Sequence, residues 1–419
     1  MNKNTIDFIL NHPTADTCTL LLGASGYPDI DISTAARCIE ARRKLKTKVP
    51  LWMSFPELLF PYPLALEQCS SQATAIYKQR FIPEGAVVAD LTAGLGVDAY
   101  FLSRKAAFLE CFEHNPVLFQ ATRHNMSILN AQNIIVTSGN SVDLLDRGRK
   151  YDLIYLDPDR RSGTGRRLYS IKDCEPDITL IKDDLFRLTG RILVKVSPMA
   201  DITALLRMLP ETSQVHVIST ADQCREVLLL LEKGFSGQTQ ITAVDISIIK
   251  GGIKTRGITA TISAEREAEC RWATSDDILK AEGQYLFQPL RAIAKAGFLK
   301  LAAARANLSK ISVNVHLYLS AEKLPDFPGK TFLIEKVLPF SGKTIKALKT
   351  ICPAASVTAR DLPLTSDQLR ARADIKEDDT FHIFAFPASD GKKFILICKN
   401  HPSGSSQFPK GHGCGSGDI

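Results

Sequence analysis

The 419-residue chain has no long hydrophobic run. No stretch approaches the about 18 consecutive apolar residues of a membrane-spanning helix. The first residues have no apolar core like that of a signal peptide, and an acid, Asp7, follows early. The ten cysteines are scattered, with no close pair and no Cys/His cluster at zinc-site spacing. These absences argue against a membrane protein, a disulfide-stapled domain or a zinc finger, and predict a soluble cytoplasmic protein with reduced thiols.

An excess of charge of one sign is also lacking, because 52 Lys and Arg residues face 45 Asp and Glu residues. The net charge of +7 is too small to indicate a partner, but its position is informative. Residues 281–400 carry 18 basic and 11 acidic residues, whereas residues 1–280 carry 33 of each. At roughly 100–200 residues per domain the length predicts about two to four domains. The charge distribution predicts a basic module attached to a neutral enzyme.

Patterns in the first 250 residues predict two structured regions. Residues 1–82 are predicted to be helical, with Ser33 capping one helix and a second helix over residues 64–80. In residues 83–250 short apolar runs alternate with helical segments, which predicts crossover connections and a doubly wound, Rossmann-like parallel sheet. The predicted strands are 86–90, 107–113, 134–136, 153–156, 192–196, 215–218 and 241–249.

The remaining residues are predicted to form an α+β region and a tail. Residues 251–328 are a linking segment with a helix near 289–301, and residues 329–400 form a compact pattern of their own. Within that pattern we predict a helix over 342–351 and a hairpin turn at Ser389-Asp390-Gly391. Residues 401–419 are rich in Gly and Ser, which predicts disorder.

The strongest motif is VADLTAGLGVD, residues 88–98, in which an apolar strand ends in Asp90 and turns into a helix. The turn is built from Thr92, Ala93, Gly94 and Gly96. Glycines let the backbone approach a ligand, and a helix N-terminus adds partial positive charge. The spacing is not the dinucleotide fingerprint, and an acid before the turn repels a pyrophosphate but suits the ammonium of an amino acid. The motif therefore favours S-adenosylmethionine over NAD.

Polar residues also follow the next two predicted strands. Glu113 ends the second strand, where a carboxylate can accept hydrogen bonds from both ribose hydroxyls. Glu110 in the same strand is the lesser candidate for this ribose-binding carboxylate. Asn140 follows the third strand and could bind the adenine, although loop asparagines are commonly just turn formers.

The fourth strand leads into Asp157-Pro158-Asp159-Arg160-Arg161. Ligands of open α/β sheets bind beyond the carboxyl ends of the strands, so this loop is predicted to bring a methyl acceptor to the cofactor. Asp157 could orient or deprotonate the acceptor, and we assign it to both the cofactor site and the catalytic site. Enzymes that methylate exocyclic amines carry a similar Asp/Asn-Pro-Pro-aromatic loop, but no aromatic residue follows here at once. The loop arginines predict phosphate contact, with a solvated basic loop as the alternative: Arg160, Arg161, Arg166 and Arg167.

Two other interpretations of this region are less favoured: cytosine C5 methylation and a metal site. Cytosine C5 methylation needs a cysteine nucleophile near the loop, and Cys174 lies well beyond it. Asp173, Glu175 and Asp177 suggest a metal cluster, but a proline interrupts them and no histidine is near, so we expect no metal. Lys195 is interpreted as a charge at a strand end that could face the same cleft.

These motifs resemble those of a Bacteroidetes group of class I methyltransferases with a THUMP-like C-terminal domain. The resemblance covers about residues 1–400. Further matching segments are Glu67-Gln68-Cys69-Ser70-Ser71, Thr74-Ala75-Ile76-Tyr77-Lys78, Asp173-Cys174-Glu175-Pro176-Asp177, Lys195-Val196-Ser197-Pro198-Met199 and His316-Leu317-Tyr318.

The resemblance implies a Rossmann-like core followed by a ferredoxin-like piece and a THUMP-like RNA-binding domain. It implies that the cofactor acids are Asp90 and Glu113 and that the reactive loop holds Asp157, Pro158, Arg160 and Arg161. We therefore expect an S-adenosylmethionine-dependent methyltransferase that acts on a base nitrogen of rRNA or tRNA. One alternative is a non-catalytic RNA-binding or assembly factor on the same scaffold, as the missing aromatic residue suggests. Another is a small-molecule methyltransferase, which leaves the basic C-terminal module unexplained.

Overall fold

A computed structural model describes residues 1–145, 148–160, 170–250 and 252–401 of the chain. The chain divides into two compact units, Met1–Arg256 and Gly257–Ile419. In the described residues no helix has both the length and the apolar character needed to cross a membrane. The predicted disordered tail, residues 402–419, lies outside the described residues.

The first unit begins with five helices: α1 (Lys3–Asn11), α2 (Thr17–Leu22), α3 (Ile32–Lys48), α4 (Pro63–Gln68) and α5 (Gln72–Lys78). The predicted cap at Ser33 is wrong. Asp31 caps α3 instead, because its non-helical backbone lets the carboxylate accept the N–H of Thr34.

The single helix predicted over residues 64–80 is two helices. Cys69 is extended, with φ −58° and ψ 152°, and this ends α4. Ser71 then caps α5, since its hydroxyl accepts the N–H of Thr74. The break leaves Ser70 between the two helices.

The described residues of the first unit also form eleven strands: β1 (Ala86–Asp90), β2 (Ala106–Glu113), β3 (Ile134–Ser138), β4 (Leu153–Leu156), β5 (Asp159–Arg160), β6 (Cys174–Glu175), β7 (Arg191–Val196), β8 (Thr212–Thr220), β9 (Gln223–Glu232), β10 (Gln240–Ile249) and β11 (Gly252–Thr261), which crosses the unit boundary. Nine of them form one sheet in the order β11-β10-β8-β9-β7-β4-β1-β2-β3, and β5 pairs with β6 in a separate short ladder. Strands β3, β2, β1, β4 and β7 are parallel, so their carboxyl ends share one edge.

Strand β9 departs from the predicted parallel order. It runs antiparallel to both of its neighbours, β7 and β8. Only Ala221 and Asp222 connect β8 to β9, and both have positive φ, 50° and 57°. Such a two-residue turn folds the chain straight back, whereas a parallel partner needs a long crossover.

The crossover helices are α6 (Val97–Ser103), α7 (Pro116–Ile128), α8 (Ser141–Leu144), α9 (Ile178–Leu185) and α10 (Ile202–Met208). The N-terminal helices share a hydrophobic core with α6 and α7 that includes Ile39, Trp52, Leu66, Leu95 and Met126. This shared core fixes the N-terminal region next to the turn between β1 and α6.

The second unit holds one eight-stranded sheet in the order β12-β14-β15-β13-β16-β19-β18-β17. Its strands are β12 (Arg271–Trp272), β13 (Tyr285–Pro289), β14 (Ser309–Lys310), β15 (Tyr318–Ser320), β16 (Gly329–Pro339), β17 (Ser356–Ala359), β18 (Phe381–Pro387) and β19 (Lys393–His401). Its helices are α11 (Ile262–Glu267), α12 (Ser275–Leu279), α13 (Arg291–Ala296), α14 (Leu299–Arg305), α15 (Gly342–Ile351) and α16 (Ser366–Ala373).

Two local predictions in this unit are confirmed and one is wrong. Helix α15 has the predicted bounds, and β18 and β19 form the predicted antiparallel hairpin. The single helix near 289–301 is instead α13 and α14. Gly297, with φ 81°, ends α13 in the left-handed region, where a glycine carries little strain.

Candidate functional site

A cavity of about 820 Å³ lies at the carboxyl ends of the parallel strands of the first unit. The segments after β1, β2, β3 and β4 line one part of it. The loop between α4 and α5 and the chain from β6 into α9 line the rest. This edge of the sheet is where the sequence predicts the cofactor and the methyl acceptor.

Asp90 supports the turn after β1 from below. Its side chain is completely buried, and among the described residues it is not one that lines the cavity. Its Oδ1 accepts the N–H of Thr92 at 3.0 Å, while Oδ2 is buried with no hydrogen-bond partner among the described residues. Burial raises the pKa of Asp90 to about 8. Asp90 therefore shapes the turn, and its predicted contact with a cofactor stays a prediction.

The two glycines of the turn have different surroundings. Both have positive φ, 53° at Gly94 and 79° at Gly96. Gly94 lines the cavity, and no atom lies within 4 Å of the position that a Cβ would occupy. At Gly96 a Cβ would lie 2.5 Å from Cε of Met126 and 2.8 Å from Cγ2 of Thr122. Gly94 thus leaves space open toward the cavity, whereas Gly96 permits close packing of the turn against α7.

Glu113 ends β2 and faces the cavity with a largely buried carboxylate. Oε2 accepts the N–H of Gly94 at 2.9 Å, and Oε1 accepts the N–H of Asn115 at 2.7 Å. Burial raises the pKa of Glu113, although these backbone donors oppose the shift. Glu110, the lesser candidate, accepts from the hydroxyl of Tyr151 at 3.0 Å and is not one of the described residues lining the cavity.

The remaining predicted cofactor residues also reach the cavity. Thr92 and Ala93 line it, and the N–H of Ala93 donates to the carbonyl oxygen of Phe112 at 2.9 Å. Asn140 lines it as the cap of α8, with Oδ1 accepting the N–H of Val142 at 3.0 Å. Asn140 is therefore a turn former by structure, and adenine binding by it stays a prediction.

The predicted reactive loop begins at the cavity. Asp157 and Asp159 line it, whereas Pro158 is buried and is not one of the described residues lining it. The backbone N–H of Asp157 donates to Oγ1 of Thr92 at 2.7 Å, which ties the loop to the turn after β1. Arg161, Arg166 and Arg167 lie outside the described residues, and so does the side chain of Arg160.

A largely buried cluster of five charged side chains and one serine, which we call the charge cluster, includes Asp157. Its members are Ser70, Lys78, Asp98, Asp157, Lys195 and Glu226. Three of them, Ser70, Asp98 and Asp157, also line the cavity. The cluster joins the segment between α4 and α5, helices α5 and α6, the segment after β4, and strands β7 and β9.

Lys78 is the most deeply buried member, with no exposed surface. Its Nζ lies 3.0 Å from Oδ1 of Asp98 and 2.9 Å from Oε1 of Glu226. The hydroxyl of Tyr155 donates to Oδ2 of Asp98 at 2.8 Å. Although burial opposes the shift, Lys78 and Lys195 lower the pKa of Asp98, so the carboxylate stays ionised.

Sequence reasoning did not identify this cluster. The sequence predicts Lys195 as a charge at a strand end that could face the cleft; in the structure its Nζ donates to Oδ2 of Asp157 and its side chain is only 12% exposed. A usable signal was present, since Lys195 lies between valines in a buried strand and a buried charge requires a partner. Its partners come from segments distant in sequence, so the pattern alone could not name them.

Glu175 and Asp177 line the cavity together with Asp159. In the described residues no group of three or more His, Cys, Asp and Glu side chains has the arrangement to hold a metal ion. None of the described lining residues is a lysine or an arginine. The described part of the cavity wall therefore carries negative charge.

Comparisons with known proteins agree with this architecture. Residues 285–328 match a ferredoxin-like domain family, and residues 329–400 match a THUMP domain-like family. A crystal structure of a "putative methyltransferase from Porphyromonas gingivalis W83" is 30% identical, with a TM-score of 0.83 over 95% of this chain and 98% of that chain. No curated protein matches the chain.

More distant structures match only part of the chain. A precorrin-6y C5,15-methyltransferase from Geobacter metallireducens GS-15 is 16% identical, covers 42% of this chain and 93% of its own, and has a TM-score of 0.31. An rRNA methylase from Streptococcus thermophilus is 17% identical, covers 42% of this chain and 98% of its own, and has a TM-score of 0.28.

The fold and the placement of the cavity define a class of protein. It is a mixed α/β protein with a Rossmann-like methyltransferase core and a C-terminal region that is ferredoxin-like and THUMP-like. Within that class, the chain belongs to the family of the Porphyromonas gingivalis protein, given the match along nearly the whole length of both chains. The finer domain boundaries at residues 82, 250, 328 and 400 stay a prediction.

Proposed function

We propose that the protein is an S-adenosylmethionine-dependent methyltransferase that modifies a base nitrogen of rRNA or tRNA. One observation carries the proposal. A single cavity is lined both by residues predicted to bind the cofactor, such as Gly94 and Glu113, and by Asp157, the residue predicted to meet the methyl acceptor. A methyl donor and an acceptor can therefore be held side by side.

The residues around the turn after β1 fit the proposed cofactor. The open space beside Gly94 leaves room for a ligand against the backbone. Each carboxylate oxygen of Glu113 receives one backbone N–H and keeps capacity for a second donor, such as a ribose hydroxyl. When bound, S-adenosylmethionine supplies a methyl group on a positively charged sulfur, and the acidic wall of the cavity favours positive charge.

Methyl transfer by in-line attack requires mainly that the two reactants be aligned. In the proposed reaction Asp157 accepts a hydrogen bond from an N–H of the acceptor and so directs the nitrogen lone pair at the methyl carbon. After transfer the nitrogen carries one proton too many, and Asp157 takes that proton and releases it to solvent at the cavity mouth.

RNA is the proposed substrate because of the second unit. Residues 329–400 match a THUMP domain-like family, and residues 281–400 carry the whole net positive charge of the chain. A small-molecule substrate would leave this module without a role. We also propose a cytoplasmic location, where such RNAs are available.

Cofactor binding is tested by calorimetry with S-adenosylmethionine, comparing Glu113→Gln with Glu110→Gln. Both glutamates lie on β2, but only Glu113 lines the cavity. We expect at least about tenfold weaker binding for Glu113→Gln, because the loss of a charged acceptor costs more than about 1.4 kcal/mol. Glu110→Gln should bind like the wild type. Absence of binding by the wild type at millimolar cofactor would contradict the proposal.

The substrate is tested by mass spectrometry of nucleosides from rRNA and tRNA of wild-type and deletion cells. We expect one methylated nucleoside to be lost on deletion, restored by the wild-type gene and not restored by Asp157→Asn. If Asp157→Asn restores the mark, Asp157 is not needed for the chemistry. If deletion removes no methyl mark while the protein still binds RNA, the non-catalytic factor is the better description.

A further inference from the structure

Three segments to which the proposed reaction gives no part contribute side chains close to Asp157 and its neighbour Asp98. They contribute Ser70 from the loop between α4 and α5, Lys78 from α5 and Lys195 from β7. All three are buried or nearly so, and their polar atoms converge on the carboxylates of Asp98 and Asp157. Burying this much charge is unfavourable unless every group is paired, so the arrangement calls for an explanation.

Lys195 is the member that contacts Asp157. Its Nζ donates to Oδ2 of Asp157, and among the described residues no contact takes up Oδ1. The backbone N–H of Asp157 is held by Thr92 at 2.7 Å. Asp157 is thus held at its backbone and at one carboxylate oxygen, and the other oxygen is left for a ligand in the cavity that it lines.

Lys195 is itself held in place by the rest of the charge cluster. The hydroxyl of Ser70 accepts from Nζ of Lys195 at 3.3 Å and from Nζ of Lys78 at 3.0 Å, and it donates to Oδ2 of Asp98 at 2.7 Å. Lys78 is in turn paired with Glu226 as well as Asp98. The Lys195 ammonium group is therefore held between Asp157 and Ser70, and Ser70 is itself fixed by Lys78 and Asp98.

We propose that Lys195 is a positioning residue of the methyl-transfer reaction, which keeps the Asp157 carboxylate ionised and turns one of its oxygens toward the acceptor nitrogen. This inference rests on the proposed function, because it assigns Asp157 the part of acceptor of the substrate N–H. Lys195 does not touch the substrate in this arrangement. It acts through Asp157, with Ser70 as the bridge to the buried pairs behind it.

The charges around Asp157 show why this role is needed. Lys195 on β7 and Lys78 on α5 favour the ionised form of Asp157, whereas Asp98 on α6 opposes it; Asp90 on β1, with its pKa raised to about 8, is uncharged at neutral pH. Burial raises the pKa of Asp157, and Lys195 is the strongest influence that lowers it. Without Lys195 the carboxyl group would be protonated at a higher pH, and a protonated oxygen donates a hydrogen bond where the acceptor amine needs an acceptor.

The test compares full-length wild type with Lys195→Met, Lys195→Arg and a control, Lys182→Met. Like Lys195, Lys182 pairs with a carboxylate, that of Glu211, and the Lys182 side chain is only 15% exposed. Lys182 is not one of the described residues lining the cavity. Methyl transfer from tritiated S-adenosylmethionine to total RNA of deletion cells is measured from pH 5 to 9. In parallel, the pKa of Asp157 is read from the carboxyl carbon resonance of ¹³C-aspartate-labelled protein, assigned by its absence in Asp157→Asn.

For Lys195→Met we expect methyl transfer at neutral pH to fall at least about tenfold, in line with a lost general base. The acidic limb of its pH profile and the NMR pKa of Asp157 should both move up by about one pH unit or more. Lys195→Arg should restore most of the activity, and Lys182→Met should resemble the wild type. An unchanged Asp157 pKa in Lys195→Met, or activity loss with an unshifted pH profile, would overturn the inference.

The carbon resonance separates this inference from the proposed function. If the wild type transfers no methyl group but Lys195→Met still raises the pKa of Asp157, then the proposed function fails and the influence of Lys195 on Asp157 stands. If Lys195→Met does not fold, Lys195→Met/Asp157→Asn replaces it, since removal of both charges leaves none unpaired. Folding of the double variant but not of the single variant would support the pairing, and failure of both would contradict it.

Discussion

The side-chain hydroxyl of Thr92 accepts a 2.7 Å hydrogen bond from the backbone N–H of Asp157. Thr92 lies in the turn predicted to bind the cofactor, and Asp157 begins the loop predicted to meet the acceptor. The two halves of the candidate site are 65 residues apart in sequence and share this bond. A substitution in the turn after β1 should therefore also change the position of the loop that begins at Asp157.

Replacement of Thr92 tests that link. Thr92→Val has nearly the same shape but leaves the Asp157 N–H without its partner, which should cost about 1–2 kcal/mol of unfolding free energy. It should also reduce methyl transfer, because the loop loses an anchor. Thr92→Ser keeps the hydroxyl and serves as the control. Urea unfolding and the methyl-transfer assay check this, and equal behaviour of the two variants would show that the bond has little effect.

Replacement by alanine should affect the two glycines of the turn differently. Gly94→Ala adds a methyl group in open space beside the cavity, so we expect a modest stability loss of about 1–2 kcal/mol from its positive φ and clearly weaker cofactor binding. Gly96→Ala should destabilise by more, since its Cβ would lie 2.5 Å from Cε of Met126. Thermal unfolding and calorimetry with S-adenosylmethionine separate the effects. Equal loss of stability for both variants would contradict this assignment.

Asp90 should make stability depend on pH. Its folded-state pKa is raised to about 8 from the ordinary value of 3.8, so the folded protein binds more protons than the unfolded chain between these values. Stability contributed by this group therefore falls as pH rises through that window. Asp90→Asn has no titrating group there, so its unfolding free energy relative to wild type should increase from about pH 4 to about pH 8. Urea unfolding at several pH values measures this, and a constant difference would show that Asp90 titrates normally.

Helix α15 offers a test of RNA binding. Lys343, Lys346 and Lys349 are exposed on one face, while Ile345 and Leu348 are buried on the other. Lys349 already pairs with Asp374. We therefore expect Lys343→Gln/Lys346→Gln to weaken RNA binding and to reduce the slope of log affinity against log salt by about 0.7 per lost phosphate contact.

Lys349→Gln is the matched control for this prediction, because the loss of a lysine already paired with a carboxylate should change the slope less. Fluorescence anisotropy with total tRNA at several salt concentrations provides the measurement. If the double variant and the control give the same salt slope as the wild type, this face of α15 does not contact RNA phosphates.

Local patterns predicted the elements well where a segment's own residues determine its structure. The strand that ends in Asp90 and helix α15 were found with the bounds that the structure gives them, since periodicity and capping act over a few residues. The helix predicted over residues 64–80 was too long, because its apolar pattern continues across Cys69 and Ser70 although the backbone does not. Strand β9 was missed because a two-residue turn with positive φ at Ala221 and Asp222 has no glycine or asparagine to signal it.

The candidate site divides in the same way. Thr92, Gly94, Glu113, Asn140 and Asp157 could be selected from sequence because each follows a recognisable strand, and the carboxyl ends of parallel strands meet at one edge. That rule predicts at which edge of the sheet a residue lies, but not whether its side chain is buried or faces the cavity. Only the structure distinguishes Asp90, buried beneath the turn, from Glu113, which faces the cavity.

From the sequence alone followed the class of fold, the position of a cavity at the strand ends and the basic character of the C-terminal residues, since these depend on local periodicity, turn residues and counted charge. The tertiary structure alone decided that Ser70, Lys78 and Lys195 surround the carboxylates of Asp98 and Asp157. Ion pairing depends on distances of a few ångströms between side chains that are up to 148 residues apart in this cluster. Such proximity is created only when helices and strands pack around a common core, and no short segment encodes it.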